Sequence, residues 1–473
     1  MLTRFFCFLL LLLGFGCTTP DTALPPAPPN IVIVFTDDQG YGDLGSYGGD
    51  HVTTPALDQL AAEGTRFTHF RVAQAVCSAS RAALLTGCYP NRVGIRAALG
   101  PGAANGIRAE ETTLAEMLGA RGYQTAMVGK WHLGDKGKFL PTQHGFDSYY
   151  GVPYSHDMWS SHPVPHMRQY FPDKVPLFRD TMLLDSLLDF TTLTRDYNEE
   201  ALKVIRQHNA DDGSLFLYLA HSLPHVPLYE DPSYGPATGK GLYADVIGEI
   251  DHGVAEIRLA LAENGMAENT LIIYSSDNGP WLSYGGHAGR SGGLREGKAT
   301  SFEGGVRVPL ITYLPGSTAA GKVSDAPLMS IDLLPSLATL TGATLPENYL
   351  DGNDRLDDFL GKTTGASPDP YPIYWLDGLD AIISASGRWK LHFPHKYPTL
   401  PADQPITNDG YPVSYRTDSI GLSLFDLHSD PKEQENVLAA WPDTVAQLTS
   451  FAQGYREAIG DSHTKTEGKE VRR

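Results

Sequence analysis

Four short apolar segments, separated by stretches of helical spacing, constrain the fold of this chain more than any other feature. Buried strands are predicted at residues 30–35, 123–128, 215–220 and 270–275, and helices at 114–120, 197–209 and 242–264. Strands that alternate with helices build parallel sheets that are covered on both faces. The sequence therefore predicts an α/β fold with a large, mostly parallel central sheet flanked by helices.

The pattern changes in the C-terminal quarter of the chain. Short strands are predicted at 373–375, 381–384, 389–393 and 422–427, followed by a helix at 441–459. Short strands joined by turns favour an antiparallel sheet, so we expect a smaller C-terminal α+β subdomain. The predicted divisions are a leader at 1–22, an N-terminal domain at 29–345, the subdomain at 346–460 and a polar tail at 461–473, for which disorder is expected.

The first residues are typical of a secretory leader, because Arg4 precedes an apolar run at 5–15. This run is too short to span a bilayer. We therefore expect export to the periplasm, the outer membrane or the medium. Cys17 follows Gly16 as in lipoproteins, which makes a lipid anchor at Cys17 the alternative to a fully removed leader. The net charge of −19 argues against nucleic acid as a partner.

Two cysteines lie beyond this leader region, Cys77 and Cys88. If the segment between them is helical, their Cα atoms lie about 16 Å apart, whereas a disulfide requires about 7 Å or less. No disulfide is therefore expected, and a small buried apolar role suits Cys88. Cys77 stands at the start of a predicted helix, where backbone N–H groups favour negative charge, and Arg81 lies one turn further on.

Carboxylates and an amide follow two of the predicted strands, where parallel sheets bind their ligands. Asp37 and Asp38 follow the first strand, and Asp277 and Asn278 follow the fourth. Oxygen donors of this kind suit Ca²⁺ better than Mg²⁺, which prefers water-rich sites, and the absence of histidine or cysteine from this set disfavours zinc. Simple capping of turns is the alternative for either pair.

Basic residues follow the other strands. Lys130 and His132 come after the second strand, His225 after the third, and Lys298 lies in a glycine-rich loop at 297–305. Lysine provides a point charge for a tetrahedral anion, and histidine exchanges protons near neutral pH. Each residue alone is more often structural, so the argument for catalysis depends on the whole set.

The segment at 77–87 resembles the signature of type I sulfatases, Cys-x-Pro/Ala-x-Arg followed by Leu-Leu-Thr-Gly. The other motifs occur in the order of that family, over most of the chain. Segments 151–157 and 297–305 are similar to its arylsulfatase A-like branch, within the alkaline-phosphatase-like superfamily. Ala79 stands where many members have proline, which leaves the identity of the maturation enzyme open.

This resemblance implies that a formylglycine-generating maturation enzyme oxidises Cys77 to formylglycine (3-oxoalanine), the nucleophile. It implies calcium ligands at Asp37, Asp38, Asp277, Asn278 and the modified Cys77. The implied catalytic set is Cys77, Arg81, Lys130, His132, His225, Lys298 and Asp277. Within it, Asp277 is the base that activates the nucleophile, His225 protonates the departing alcohol, and His132 assists the release of sulfate.

Neighbouring loops supply candidates for substrate specificity, namely His156, Asp157, His287, Arg295 and His395. Ordinary loop contacts are the alternative for each of them. The expected reaction is the hydrolysis of aryl or carbohydrate sulfate esters, and export favours fragments of sulfated polysaccharides. The alternatives are a phosphodiester or phosphonate ester hydrolase and a non-catalytic protein that binds sulfated glycans.

Overall fold

The computed structural model describes residues 28–187, 189–235, 237–402 and 407–472. The predicted leader and the proposed anchor at Cys17 lie outside the described residues. None of the helices in the described ranges combines the length and the hydrophobicity that crossing a bilayer would require.

A central sheet of ten strands confirms the predicted fold class. The strands of the N-terminal part are β1 Asn30–Thr36, β2 Thr65–Phe67, β3 Phe70–Arg71, β4 Gln124–Gly129, β5 Ser148–Gly151, β6 Val175–Arg179, β7 Met182–Leu187, β8 Leu215–Ala220, β9 Thr270–Ser276, β10 Leu310–Tyr313, β11 Lys322–Ser324 and β12 Leu328–Met329. The order across the sheet is β11-β2-β10-β9-β1-β8-β4-β5-β6-β7. Strands β9, β1, β8, β4 and β5 are parallel, whereas β10, β6 and β7 pair antiparallel to their neighbours.

Both faces of the sheet are buried, which explains why its central strands are almost continuously apolar. In β1, Ile31, Ile33 and Phe35 belong to one hydrophobic cluster, while Val32 and Val34 belong to the cluster on the opposite face. The helices are α1 Pro55–Glu63, α2 Cys77–Thr86, α3 Pro90–Val93, α4 Leu114–Ala120, α5 Leu193–Gln207, α6 Leu242–Glu263, α7 Glu303–Val306, α8 Leu333–Thr341, α9 Leu356–Phe359 and α10 Pro442–Ile459. Helices α2, α4 and α8 cover the first face, and α1, α5 and α6 cover the second.

The predicted strands correspond to β1, β4, β8 and β9, and the register brings their carboxyl ends to one edge. Thr36 of β1 lies opposite Ser276 of β9, and Gly129 of β4 lies opposite Ala220 of β8. The polar residues that follow each strand therefore enter the same region. Helix α5 begins at Leu193, earlier than predicted. The polar residues Thr194 to Asp196 interrupt the apolar repeat, and the prediction therefore missed the first turn of the helix.

The C-terminal part forms the antiparallel subdomain that the sequence predicts. It contains strands β13 Tyr371–Trp375, β14 Gly378–Ile383, β15 Trp389–His392, β16 His395–Thr399, β17 Arg416–Ile420 and β18 Ser423–Asp426. Strands β13, β14, β15 and β18 form one sheet, and β16 pairs with β17. Leu448, Ala452 and Ile459 of α10 belong to the same hydrophobic cluster as β1. The core is thus continuous between the two parts, and the division at 345/346 stays a prediction.

The expectation of a disordered tail is wrong for residues 462–472. Asp461 and Thr466 form an isolated β-bridge. The N–H of Arg472 donates to the carbonyl oxygen of Arg92 at 2.8 Å, and the Arg472 guanidinium pairs with Glu111. Composition alone predicts disorder from polarity, but these backbone and charge contacts dock the segment on the N-terminal part.

A buried charge network joins the subdomain to the glycine-rich loop. Glu303, at the end of this loop, pairs with Arg71 at 2.8 Å and with Lys390 of β15 at 3.1 Å. Lys390 also pairs with Glu433 at 3.0 Å, and the Glu303 N–H donates to Glu433 Oε2 at 2.6 Å. Removing one member of such a network leaves its charged partners unpaired in a poorly solvated environment.

We therefore expect Lys390→Ala to lower the free energy of unfolding by about 3–5 kcal/mol, because Glu303 and Glu433 lose a shared cation. Urea denaturation followed by fluorescence measures this change. The matched control is Lys396→Ala on β16, where the side chain is exposed and the expected change is within about 0.5 kcal/mol. Equal effects of the two substitutions would contradict a stabilising role for the network.

Candidate active site

The four oxygen-donor residues of the sequence prediction lie together at the carboxyl edge of the sheet. Asp38 adopts a φ of 62°, and its N–H donates to Asp277 Oδ1 at 3.1 Å. The Asn278 amide donates to Asp38 Oδ1 at 2.7 Å. Asn278 Oδ1 is buried and accepts no hydrogen bond from any described residue. This oxygen is consequently available to a cation.

Cys77 is the first residue of α2 and lies against these carboxylates. Its Sγ is 3.5 Å from Asp37 Oδ1 and 3.5 Å from Lys298 Nζ. Cys77 and Cys88 are both free, which confirms the expectation that they form no disulfide. Burial, together with the charge of Asp37, raises the pKa of the Cys77 thiol well above its usual value. An unmodified thiol here is thus protonated at neutral pH and a poor nucleophile.

Arg81 lies one helical turn beyond Cys77, and its buried guanidinium binds the carboxylates of Asp37 and Asp277. Its Nη2 is 2.8 Å from Asp277 Oδ2 and 3.1 Å from Asp37 Oδ2. Its Nη1 donates to the carbonyl oxygen of Lys130 at 2.9 Å. The whole guanidinium is buried. Arg81 therefore fixes the loop ends of three strands relative to α2.

Two lysines complete the charge balance. Lys130 Nζ pairs with Asp37, and Lys298 Nζ lies 2.6 Å from Asp38 Oδ1. Lys298 Nζ lies 3.5 Å from Cys77 Sγ. Lys130 reaches the same region through Asp37, whose Oδ1 lies 3.5 Å from that sulfur. The pocket thus places two point charges where a tetrahedral anion would contact residue 77.

A cation could be held between the two strand ends. Asp37, Asp38, Cys77 and His225 offer ligand atoms that all lie within 4.8 Å of one another, and all four residues are buried. Asn278 adds its unpartnered oxygen. Asp277 is not one of these four clustered residues, but it lies beside them: its Oδ1 accepts a hydrogen bond from the N–H of Asp38, and its Oδ2 accepts one from Arg81 Nε. A donor set dominated by oxygen suits a hard divalent cation.

The two predicted catalytic histidines are neutral. His225 Nδ1 donates to the Val226 carbonyl oxygen at 2.6 Å, and Nε2 lies 3.6 Å from Asp38 Oδ2. Burial lowers the pKa of His225 to about 3, with Lys298 adding to the effect. His132 Nε2 lies 2.9 Å from the Leu99 carbonyl oxygen, and its buried Nδ1 has no partner in the described ranges. Burial, followed by the charge of Lys130, lowers the pKa of His132 as well.

Two of the specificity candidates lie beside the site. The loop after β5 carries His156 and Asp157, and it is fixed to the Lys130 segment because the N–H groups of Trp131 and His132 bond to the carbonyl oxygens at positions 152 and 153. The His156 ring is 5.7 Å from the His225 ring.

The other candidates lie in contacts with the C-terminal subdomain. Arg295 donates to Tyr397 Oη at 2.8 Å and stacks on Phe302 at 4.1 Å. His395 Nδ1 bonds to the Phe393 carbonyl oxygen at 2.8 Å. His287 packs close to Gly410 in the segment that follows β16. Nε2 of His395 is buried and has no hydrogen-bond partner in the described ranges, and a role in specificity stays a prediction for all three residues.

Sequence reasoning missed Trp281, and it included Ser155 only as part of the segment 151–157. Lys298 Nζ lies 4.7 Å from the centre of the Trp281 ring, which in turn lies 5.6 Å from the His225 ring. Ser155 is buried, and its hydroxyl contacts the Asp157 carboxylate. Trp281 follows the Asp277-Asn278 pair at the end of β9, and this position in the sequence could have identified it.

Comparison with known proteins agrees with this geometry. The sequence model of the family described as Sulfatase matches residues 29–343. The chain belongs to the sulfatase family. It is 39% identical to arylsulfatase A of Homo sapiens over 448 residues, which covers 89% of this chain and 86% of that protein.

Two further comparisons extend over most of the chain. N-acetylgalactosamine-6-sulfatase of Canis lupus familiaris is 36% identical over 81% of this chain and 75% of its own length. Among solved structures, the PsFucS1 sulfatase from Pseudoalteromonas sp. has a TM-score of 0.79 at 27% identity and covers 90% of each chain. The identification as a type I sulfatase is confirmed, and the protein is a sulfuric ester hydrolase.

The geometry predicts that a hard divalent cation stabilises this sulfatase. Added Ca²⁺ at 100 times its Kd should raise the free energy of unfolding by about 2.7 kcal/mol, because the cation binds the folded state alone. Thermal unfolding with and without Ca²⁺ measures the effect. Asp38→Asn should lose most of it, whereas the exposed control Asp50→Asn should retain it. An identical Ca²⁺ response in both variants would place the cation elsewhere.

Proposed function

We propose that this enzyme hydrolyses sulfate esters of exported or extracellular carbohydrates through a formylglycine made from Cys77 and a calcium ion beside it. The observation that carries the proposal is the position of Cys77. It begins α2 and lies 3.5 Å from both Asp37 Oδ1 and Lys298 Nζ. A side chain at this position faces carboxylates that suit a cation and ammonium groups that suit a sulfate.

The residues that would hold the calcium ion are Asp37, Asp38, Asp277, Asn278 and the modified residue 77. All are buried, and their oxygen atoms match the preference of Ca²⁺ for carboxylates and amide carbonyls, whereas Mg²⁺ would retain more water. Bound there, the cation supplies positive charge that favours ionisation of the nucleophile and draws charge from the sulfonyl oxygens.

Formylglycine explains why a cysteine with a strongly raised thiol pKa stands at the centre of the pocket. Once formed and hydrated, it supplies one hydroxyl as the nucleophile and a second through which the sulfate can be eliminated. Asp277 is the base that receives the first proton. Burial and the neighbouring Asp37 raise the pKa of Asp277 to about 6 in the pocket without a cation. A calcium ion bound beside it would lower this pKa and keep the carboxylate ionised, ready to receive a proton.

Lys130 and Lys298 hold the sulfonyl oxygens, where negative charge gathers in the transition state. His225 donates the proton to the oxygen of the departing alcohol. Its Nδ1 is bonded to the Val226 carbonyl oxygen, so Nε2 is the nitrogen that would carry that proton. Burial lowers the pKa of His225 in the pocket without substrate, so Nε2 must first take up the proton, which the negative charge of a bound sulfate ester favours by raising this pKa. His132 offers its unpartnered Nδ1 as the acceptor of the second proton at residue 77.

Carbohydrate sulfates are the favoured substrates for two reasons. One relative is named for N-acetylgalactosamine-6-sulfate chemistry, and the leader-like N-terminus favours a location at the cell envelope or outside the cell. A lipid anchor at Cys17 would keep the enzyme at the membrane surface and within reach of polysaccharide fragments.

Mass spectrometry of the peptide that contains Cys77 tests the proposal directly. In a host with a maturation enzyme, we expect this peptide to be lighter by about 18 Da than the cysteine form, because an aldehyde replaces the thiol group. Cys77→Ala should abolish sulfate release. An unmodified peptide from an active preparation would refute the formylglycine mechanism.

Parallel assays on nitrophenyl sulfate and nitrophenyl phosphates test the reaction class. We expect a strong preference for the sulfate ester. Faster turnover of a phosphate ester would favour the phosphodiester or phosphonate hydrolase alternative.

The role of His225 predicts a dependence on the leaving group. His225→Gln should lower kcat/KM for alkyl sulfates about 10²–10⁴-fold, since an alkoxide needs a proton to leave. The loss for nitrophenyl sulfate should be at least about tenfold smaller, because nitrophenolate leaves without protonation. The exposed control His252→Gln should show neither effect. Equal losses on both substrates would assign His225 to cation binding.

A further inference from the structure

The glycine-rich loop presents Lys298 from a strained stretch of backbone. Glu296 and Ala299, on either side of this lysine, have φ values of 57° and 69°. Residues with a Cβ atom rarely adopt this left-handed region, so contacts with the surroundings must hold the loop in place. The N–H of Lys298 donates to the Pro280 carbonyl oxygen at 2.9 Å. That of Ala299 donates to the Ala75 carbonyl oxygen at 3.0 Å. Both contacts lie in the first half of the loop.

Asp380 of the C-terminal subdomain contacts the second half of the loop. It lies on β14, and its Oδ2 accepts a hydrogen bond from the Ser301 hydroxyl at 2.8 Å. Ser301 is 1% exposed and Asp380 is 2% exposed. A hydrogen bond to a buried carboxylate is stronger than one between neutral groups. Because Ser301 lies three residues beyond Lys298, this bond fixes the loop on the far side of the lysine.

The docked C-terminal tail holds Asp380 in turn. The other carboxylate oxygen, Oδ1, lies 2.8 Å from Nε2 of His463 in the tail. Asp461, two residues earlier, accepts the N–H of Leu379 at 3.1 Å, next to Asp380 on β14. Nε2 of His395 lies 3.6 Å from Asp380 Oδ2. The Asp380 carboxylate therefore joins the glycine-rich loop to the tail through its two oxygen atoms.

We infer that Asp380 is a positioning residue for Lys298 and that the tail supports it through His463. This inference rests on the proposed function, in which Lys298 holds the sulfonyl oxygens. Lys298 Nζ lies 2.6 Å from Asp38 Oδ1 and 3.5 Å from Cys77 Sγ, so its distance to the nucleophile depends on the conformation of the loop. A shift of about 1 Å in a catalytic group can cost about 100-fold in rate.

The alternative is that the bond between Ser301 and Asp380 only stabilises the fold. Loss of such a bond would change the free energy of unfolding but not the kcat of the folded enzyme. A displaced Lys298 instead weakens the transition state more than the bound substrate, because the charge on the sulfonyl oxygens is largest in the transition state. The two roles therefore differ in their effect on kcat at constant KM.

Ser301→Ala should lower the kcat for nitrophenyl sulfate about tenfold and change KM by less than about twofold. Ser301→Thr keeps a hydroxyl at this position and should restore kcat to within about twofold. The matched control, Ser423→Ala, removes a buried hydroxyl of β18 that donates to the Gly421 carbonyl oxygen at 3.1 Å, and it should retain kcat. Steady-state kinetics measure these values, with each rate normalised to the fraction of oxidised residue 77 found by mass spectrometry.

His463→Ala tests the contribution of the tail. It should lower kcat about threefold, a smaller loss than in Ser301→Ala, because Asp380 keeps its bond to Ser301. Combining His463→Ala with Ser301→Ala should lower kcat no further than Ser301→Ala alone, since both act through Asp380. The control Lys469→Ala removes an exposed side chain of the same tail and should retain kcat.

Three results would overturn the inference and leave the proposed function standing. The first is an unchanged kcat in Ser301→Ala, and the second is a higher KM at constant kcat, which would assign Ser301 to substrate binding. The third is an equal loss of kcat in Ser423→Ala, which would assign the effect to general destabilisation. Losses that multiply in the double variant would overturn the role of the tail. Failure of the unaltered enzyme to release sulfate, with residue 77 oxidised, would overturn both the inference and the proposed function.

Discussion

Charge compensation at the carboxyl edge of the sheet is the constraint on which the rest of the active site depends. Three buried carboxylates, Asp37, Asp38 and Asp277, meet three buried cations, Arg81, Lys130 and Lys298. Buried charges are tolerated only when they are paired and hydrogen-bonded. A divalent cation would add two positive charges, and an anionic sulfate ester with an ionised nucleophile would restore neutrality. The pocket is therefore suited to take up both ions together.

The C-terminal subdomain contacts the glycine-rich loop at 297–305 and thereby positions one side of this pocket. Glu303 at the end of that loop is held by Lys390 and, through its N–H, by Glu433. Arg295 reaches across from the same loop to Tyr397. Lys298 lies between these two anchors in sequence, so its ammonium group is placed by contacts with the subdomain. The same contacts hold Arg295, whose role in specificity stays a prediction.

Burial also determines what the histidines can do. The pKa of His225 and that of His132 are lowered, so both rings are neutral and act through specific nitrogen atoms. The carbonyl oxygens of Val226 and Leu99 each engage one nitrogen. The other nitrogen of His225 lies near Asp38, and that of His132 has no hydrogen-bond partner among the described residues. The backbone of the strand-end loops thereby assigns the direction of proton transfer, and the chemistry depends on loop conformation as much as on residue type.

The sequence by itself determined the fold class and the chemical content of the site. Strands buried on both faces must be apolar throughout, so β1, β4, β8 and β9 were recognisable. The polar residues behind them identified the carboxylates and Lys130, while a helix start identified Cys77 and the glycine-rich loop identified Lys298. Tertiary structure alone decided that Asp38 meets Asp277 across 239 positions of sequence and that His225 joins the candidate cation ligands. It also decided that the C-terminal tail is docked on the N-terminal part. The physical reason is that strand periodicity and helix starts are local, whereas the partner of each polar group depends on packing between distant segments.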